Sequence, residues 1–262
     1  MPSPQTVLIT GASGGIGYEL AKLFARDQHN LILVARSGDK LARIATGLQS
    51  QFGVMVKTIA LDLAAPPAPK FLFDQLQREG IAVDTLINNA GYGAFGEFAQ
   101  MPEEGILGQI HLNITALTQL TKLFLAPMLT RRSGRIMNVA STAGFQAGPL
   151  MAVYYATKAY VISFSEALAN ELRNSGVTVT CFCPGATHTG FAKRAGTEGS
   201  RLFKQLGAMD ADKVALDGYR AVMEGRTLSI SGVHNWLVAE SVRFAPRKAV
   251  TAISRWIAEK VD

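Results

Sequence analysis

The sequence predicts an α/β fold, a doubly wound parallel sheet of about seven strands with helices on both faces and a helical C-terminal extension. Three observations carry this. Short runs that are apolar throughout alternate with segments of helical period, as a sheet covered on both faces requires. A glycine-rich turn follows the first run directly. Hydrophobic residues make up 48% of the 262 residues against 18% charged, enough to fill a sizeable core.

Taken in order, Val7 to Thr10 reads as a buried strand, followed by the glycine-rich turn and a helix through Asp27. Further strands are expected at Leu31 to Val34, Val54 to Ala60, Thr85 to Ile87, Arg135 to Val139, Val177 to Phe182 and Leu228 to Ile230. Helix-period sequence separates each pair, so the crossovers should be right-handed and the arrangement Rossmann-type. The proline-rich stretch Ala65 to Pro69 leads into a helix over Lys70 to Arg78. With no linker, repeat or low-complexity segment, residues 1–262 read as one domain. A substrate loop is expected over 186–210 and the helical extension over 233–262.

A net charge of +6 and a pI near 9.4 raise the question of nucleic acid or an anionic surface. The basic residues are spread along the chain, without an aromatic-interleaved cluster, and no nucleic-acid partner is expected. The longest apolar candidate, Ile114 to Leu129, is broken by Thr115, Thr118, Gln119, Thr121 and Lys122, well short of the ~18 uninterrupted apolar residues of a membrane span. Met1-Pro2-Ser3-Pro4 lacks the basic start of a secretory signal, so a cytoplasmic protein is expected. Cys181 and Cys183 are two apart in a strand and share a face, as core residues would. His29, His111, His188 and His234 are scattered, and no metal site is expected.

The chemistry begins at Thr10-Gly11-Ala12-Ser13-Gly14-Gly15-Ile16-Gly17. Glycines there let the backbone approach a pyrophosphate, and the helix N-terminus supplies free N–H groups and positive potential. Gly11, Ser13, Gly15, Ile16 and Gly17 are therefore candidate cofactor residues. The second strand ends Val34-Ala35-Arg36-Ser37, without the acid that binds a ribose 2′-hydroxyl and with an arginine able to pair with a 2′-phosphate. NADP(H) is favoured over NAD(H).

Tyr154-Tyr155-Ala156-Thr157-Lys158 places Tyr154 and Lys158 on one helix face. An adjacent ammonium stabilises phenolate, so the Tyr154 pKa is expected to fall. Ser141 closes Asn138-Val139-Ala140-Ser141 at the carboxyl end of the fifth strand, where such sheets bind ligands.

The Thr-Gly-x-x-x-Gly-x-Gly loop, the step from Ser141 to Tyr154 and the Tyr-x-x-x-Lys pair together resemble the short-chain dehydrogenase/reductase family. The resemblance covers the chain to about residue 190. It implies that Asp62 contacts the adenine and that Asn88-Asn89-Ala90-Gly91 lines the cofactor cleft through Asn89, Ala90 and Gly91. It further implies that Pro184, Gly185, Thr187 and Thr189 meet the nicotinamide end, and that Asn113 is a fourth catalytic residue. Asn is a poor residue for a helix interior, consistent with a special role there. The implied reaction is hydride transfer between NADP(H) and a small-molecule carbonyl or secondary alcohol, run as a reduction. Tyr154 would move the proton and Ser141 would bond the same oxygen. Lys158 would hold the ribose and tune Tyr154, and Asn113 would position a water beside Lys158. A non-catalytic NADP(H) sensor on the same scaffold is the alternative, but it predicts loss of Tyr154, Lys158 or Ser141. An epimerase or dehydratase predicts a longer chain and a differently spaced glycine motif.

Phe145, Leu150, Met151, Phe191, Leu202, Phe203 and Leu206, with Tyr92 and Phe95, give the substrate end an apolar tone, suggesting an apolar or acyl-type substrate. Arg194 to Gly199 is expected to be a mobile lid. Near the C-terminus, Val250, Ile253, Ile257 and Val261 share a helical face, accompanied by Arg247, Lys248 and Arg255. This extension could cap the pocket, form a subunit contact or rest on a membrane surface, the first two being favoured. A homo-oligomer is expected, and the extension favours a homodimer over a homotetramer.

Overall fold

The computed structural model describes residues 4–204 and 207–260. In chain order it runs β1 (Thr6–Thr10), α1 (Gly15–Arg26), β2 (Asn30–Ala35), α2 (Gly38–Phe52), β3 (Val56–Ala60), α3 (Ala68–Arg78) and β4 (Thr85–Asn88). Then come α4 (Glu103–Ile110), a π-helical segment (His111–Ala116), α5 (Leu117–Arg131), β5 (Gly134–Val139), α6 (Ala152–Glu171) and β6 (Val177–Cys183). The last part holds β7 (Thr187–His188), α7 (Gly190–Ala195), α8 (Arg201–Lys204), β8 (Met209–Asp210), α9 (Ala211–Met223), β9 (Leu228–Ile230), α10 (Val233–Ser241) and α11 (Arg247–Ala258).

Seven strands form one parallel sheet in the order β3-β2-β1-β4-β5-β6-β9. Successive strand residues point to opposite faces, and that alternation sorts the core into layers. Val7, Ile9, Leu31, Leu33, Ile87 and Met137 pack with Leu20 and Phe24 of α1, Leu41 of α2 and Val214 of α9. Their neighbours Leu8, Ile32, Val34, Leu86 and Ile136 pack with Leu72 of α3 and Leu120, Phe124 and Met128 of α5. Cys181 and Cys183 are buried free thiols in a third cluster with Val161 and Ile162 of α6.

Strand order reverses at β1, which lies between β2 and β4, and a crevice opens there at the carboxyl ends of the strands. A buried polar lattice fixes the sheet beneath it. Asn88 Nδ2 donates to Thr121 Oγ1 (3.0 Å) and Asn138 Oδ1 (2.9 Å), while Asn138 Nδ2 donates to Ser165 Oγ (3.0 Å). These bonds tie β4 and β5 to α5 and α6.

Some boundaries differ from expectation. β3 starts at Val56, not Val54, because Gly53 ends α2 in the left-handed region and the chain must still leave that cap. α3 starts at Ala68, two residues early, since prolines are tolerated in a first helical turn, where N–H groups lack partners anyway. The short pair β7–β8 was not expected; it joins the two ends of the substrate loop in parallel.

Candidate active site

The switch-point crevice is a cleft of about 1340 Å³. Its floor is the turn after β1. Gly11 N–H and Ala12 N–H both donate to Val34 O (2.8 and 3.3 Å), folding the turn back onto β2. Gly11 has φ +67°, a region that glycine enters without strain. Gly17 sits behind the loop, where a Cβ would lie 2.5 Å from Asn89 Nδ2 and 2.6 Å from Gly11 O, so only glycine fits. Thr10 Oγ1 accepts from Asn89 N (3.0 Å) and Ala90 N (2.9 Å), and Asn89 Nδ2 donates to Thr10 O (2.9 Å). This knot holds the ends of β1 and β4 together. A Cβ placed on Gly14 would meet nothing within 4 Å, so the loop and the N-terminus of α1 open onto free space. That cradle fits a pyrophosphate.

Gly11, Ser13, Gly15, Ile16, Arg36, Asp62, Asn89, Ala90, Gly91, Pro184, Gly185, Thr187 and Thr189 all line the cleft with Ser141, Tyr154 and Lys158. Gly17 and Asn113 do not; both stand behind its wall. Asp62 Oδ1 accepts from Ala64 N (3.0 Å), which orients the carboxylate at the end of β3. Ser37 and Lys40 line the cleft beside Arg36 and were missed in the sequence. Lys40 lies in the first turn of α2, just after the strand end that carries Arg36.

The expected reacting groups converge. Ser141 Oγ accepts from Ala143 N (3.1 Å) and donates to Pro184 O (3.4 Å), which ties the serine to the loop after β6. Lys158 is buried and its Nζ donates to Val139 O (2.7 Å). The same Nζ lies 5.8 Å from the centre of the Tyr154 ring. Burial draws the Lys158 ammonium down to about 8. Burial also pushes the Tyr154 phenol well above its ordinary value, while the Ser141 hydroxyl pulls the other way. The expected fall at Tyr154 is therefore corrected: desolvation of the phenolate outweighs the hydrogen bond from Ser141.

Asn113 sits in the π-helical segment, a distortion common at functional sites. Its Oδ1 accepts from Tyr92 N (3.1 Å), and its Nδ2 donates to Tyr92 O (2.9 Å) and Thr157 Oγ1 (3.1 Å). Thr157 Oγ1 in turn donates to Tyr154 O (2.7 Å). Asn113 thus clamps the strand-end loop at Tyr92 to the helix that carries Tyr154 and Lys158.

At the substrate end, Tyr92, Met151, Phe191, Leu202 and Phe203 line the cleft as expected. Phe145 packs against the third core cluster, and Leu150 lines a separate small cavity. Phe95 lies under the Lys260 ammonium, and Leu206 falls outside the described residues. The segment 194–199 is not a free flap. Thr197 N–H donates to Ala192 O (2.9 Å), Thr197 and Ser200 are buried, and Ser200 pairs with Lys260 in an antiparallel bridge. Arg201 Nη1 bonds Trp256 O (2.8 Å) and Glu259 Oε2 (3.1 Å), clasping α8 to α11. Val233, Asn235 and Val238 of α10 and Ser254, Ile257 and Ala258 of α11 line the cleft, so the extension caps it. Of the expected apolar face of α11, Ile257 lines the cleft and Ile253 is exposed, while the fully buried positions are Ser254 and Ala258. Small side chains there let the helix approach. Val261 lies outside the described residues.

A family model described as short chain dehydrogenase matches residues 5–199. The chain belongs to that family. Among curated relatives, it is 36% identical over 181 residues to the ketoacyl reductase HetN of Nostoc sp. That match covers 69% of this chain and 63% of the relative. It is also 36% identical over 184 residues to a very-long-chain 3-oxoacyl-CoA reductase of Phaeosphaeria nodorum, covering 69% and 54%. The match thus spans between about half and two thirds of those relatives' lengths. Among solved structures, a short-chain dehydrogenase from Sphingobium yanoikuyae in complex with NADPH superposes with TM-score 0.83 at 35% identity, covering 92% of this chain and 94% of that one. A short-chain dehydrogenase/reductase from Burkholderia phymatum in complex with NAD gives TM-score 0.81 at 26% identity, covering 99% and 98%. No helix among the described residues is long and apolar enough to cross a membrane.

Proposed function

We propose that this short-chain dehydrogenase is an NADP(H)-dependent reductase of an apolar or acyl-type carbonyl compound. The observation that carries the reading is the convergence of Tyr154, Lys158 and Ser141 in one cleft with the glycine loop and Arg36. When bound, a nicotinamide cofactor would supply or accept the hydride. Ser13, Gly15 and Ile16 would hold the pyrophosphate on the turn that Gly11 shapes, and Asp62, Asn89, Ala90 and Gly91 would line the adenosine side. Pro184, Gly185, Thr187 and Thr189 bound the nicotinamide end, and Lys158 holds its ribose.

Tyr154 gives its phenolic proton to the carbonyl oxygen during reduction, and Ser141 donates a hydrogen bond to that oxygen as charge develops. The Lys158 ammonium stabilises the phenolate left behind. Asn113 acts through the geometry of Tyr92 and Thr157 and is a positioning residue. The choice of NADP(H) is supported by Ala35-Arg36 at the end of β2, with Ser37 and Lys40 beside it, and by the NADPH in the Sphingobium structure. The acyl reading is supported by the apolar lining and by the names of the curated relatives.

The test is a panel of aliphatic ketones and 3-oxoacyl thioesters assayed with NADPH and with NADH. The wild type should prefer NADPH. Arg36→Glu should raise the KM for NADPH roughly tenfold or more, as loss of a charge-assisted pair implies, with little change for NADH. Equal use of both cofactors by the wild type overturns the NADP(H) reading.

A further inference from the structure

The chain has two tryptophans, and both are exposed on the C-terminal helices, Trp236 at 50% on α10 and Trp256 at 52% on α11. Val233 and Leu237 share the exposed stripe of α10 with Trp236, at i, i+3 and i+4 spacing. Phe244 stands 89% exposed on the turn between the two helices, and Ile253 is exposed on α11. Large apolar side chains left in water this densely mark a contact surface.

The charges around them are mostly basic. Arg243, Arg247, Lys248, Arg255 and Lys260 are exposed in the same stretch. Its two acids are already engaged, Glu240 with Arg243 (3.4 Å) and Glu259 with Arg201 (3.1 Å) and Arg255 (3.5 Å). Arg247 and Lys248 have no acidic partner among the described residues. Tryptophan and phenylalanine flanked by cations form the signature of a helix lying at an anionic lipid interface. A second copy of this chain fits poorly, because a twofold contact would set the same cations against each other. The same two helices reach the cleft: Val233 and Val238 of α10 and Ile257 of α11 line it, while Trp236, Leu237 and Trp256, whose ring carries the Arg201 guanidinium at 4.9 Å, are exposed.

We propose that α10, the Phe244 turn and α11 form a docking face for an anionic bilayer surface, with the cleft opening toward the lipid. The two tryptophans make the test direct, since emission excited beyond the tyrosine band reports this face alone. The full chain is mixed with phosphatidylcholine vesicles containing roughly one third phosphatidylglycerol, and with pure phosphatidylcholine vesicles as control. The anionic vesicles should shift the emission to the blue and carry the protein into the pellet, with reversal at high salt. Phe244→Ser, and separately Arg247→Glu with Lys248→Glu, should weaken binding roughly tenfold or more while leaving turnover of a water-soluble ketone unchanged. No blue shift with anionic vesicles overturns the proposal, as does binding that neither variant weakens. Concentration-dependent self-association through this face, lost in Phe244→Ser and competing with vesicles, assigns it to a second copy and also overturns the proposal.

Discussion

Burial opposes charge at both ends of the proton path. It raises the Tyr154 phenol and lowers the Lys158 ammonium to about 8. A lysine with a lowered pKa is charged below that value and loses its proton as pH rises through it. Below about pH 8 the ammonium stands ready to stabilise the phenolate that forms as Tyr154 donates; above it, that help fades. We expect kcat for ketone reduction to fall as pH rises through about 8. Reductive kcat that stays flat between roughly pH 7 and 9 contradicts this account of Lys158. Residue identities here were legible because Tyr154 and Lys158 are four apart on one helix and Ser141 ends a strand. The balance of burial against charge was not, because it depends on chain segments distant in sequence.

Single elements carry the geometry through contacts that permit little adjustment. The glycine loop works because Gly17 leaves room for Asn89 and for the Gly11 carbonyl. Gly17→Ala forces one of them to move, at about 1–3 kcal/mol of overpacking. We expect a lower melting temperature together with weaker NADPH binding, read by calorimetry and fluorescence titration; unchanged affinity contradicts the role given to the loop. Asn138→Ala tests the lattice under the site. It leaves Asn88 and Ser165 short of a partner in the core, at about 1–3 kcal/mol for each stranded group. Its melting temperature should fall by several degrees. The long helices and the buried strands were readable from periodicity alone. β7 and β8 were not, because a two-residue strand has no period and exists only by pairing across the substrate loop. Nor was the π-helical turn at Asn113, where the side chain meets Tyr92 and Thr157, residues distant in sequence.

At the scale of the molecule, the sheet order follows from alternating strands and helices, and the site lies where that order reverses. The alternation and the glycine turn were visible in the sequence. The clasp of α8 onto α11 was not, because Arg201, Trp256 and Glu259 carry no motif and meet only when the substrate loop folds against the C-terminal helix. A cleft so assembled should bind its cofactor only when the whole chain is folded. NADPH at about one hundred times its Kd should therefore add about 2.7 kcal/mol of stability. For a chain of this size that raises the melting temperature by roughly 5–10 °C. The most direct measurement combines this shift with turnover in Tyr154→Phe. The variant should keep the NADPH-induced shift within a degree or so of the wild type, while ketone reduction falls to the background of the uncatalysed mixture. Substantial turnover by Tyr154→Phe, with the shift intact, contradicts the assignment of the proton to Tyr154.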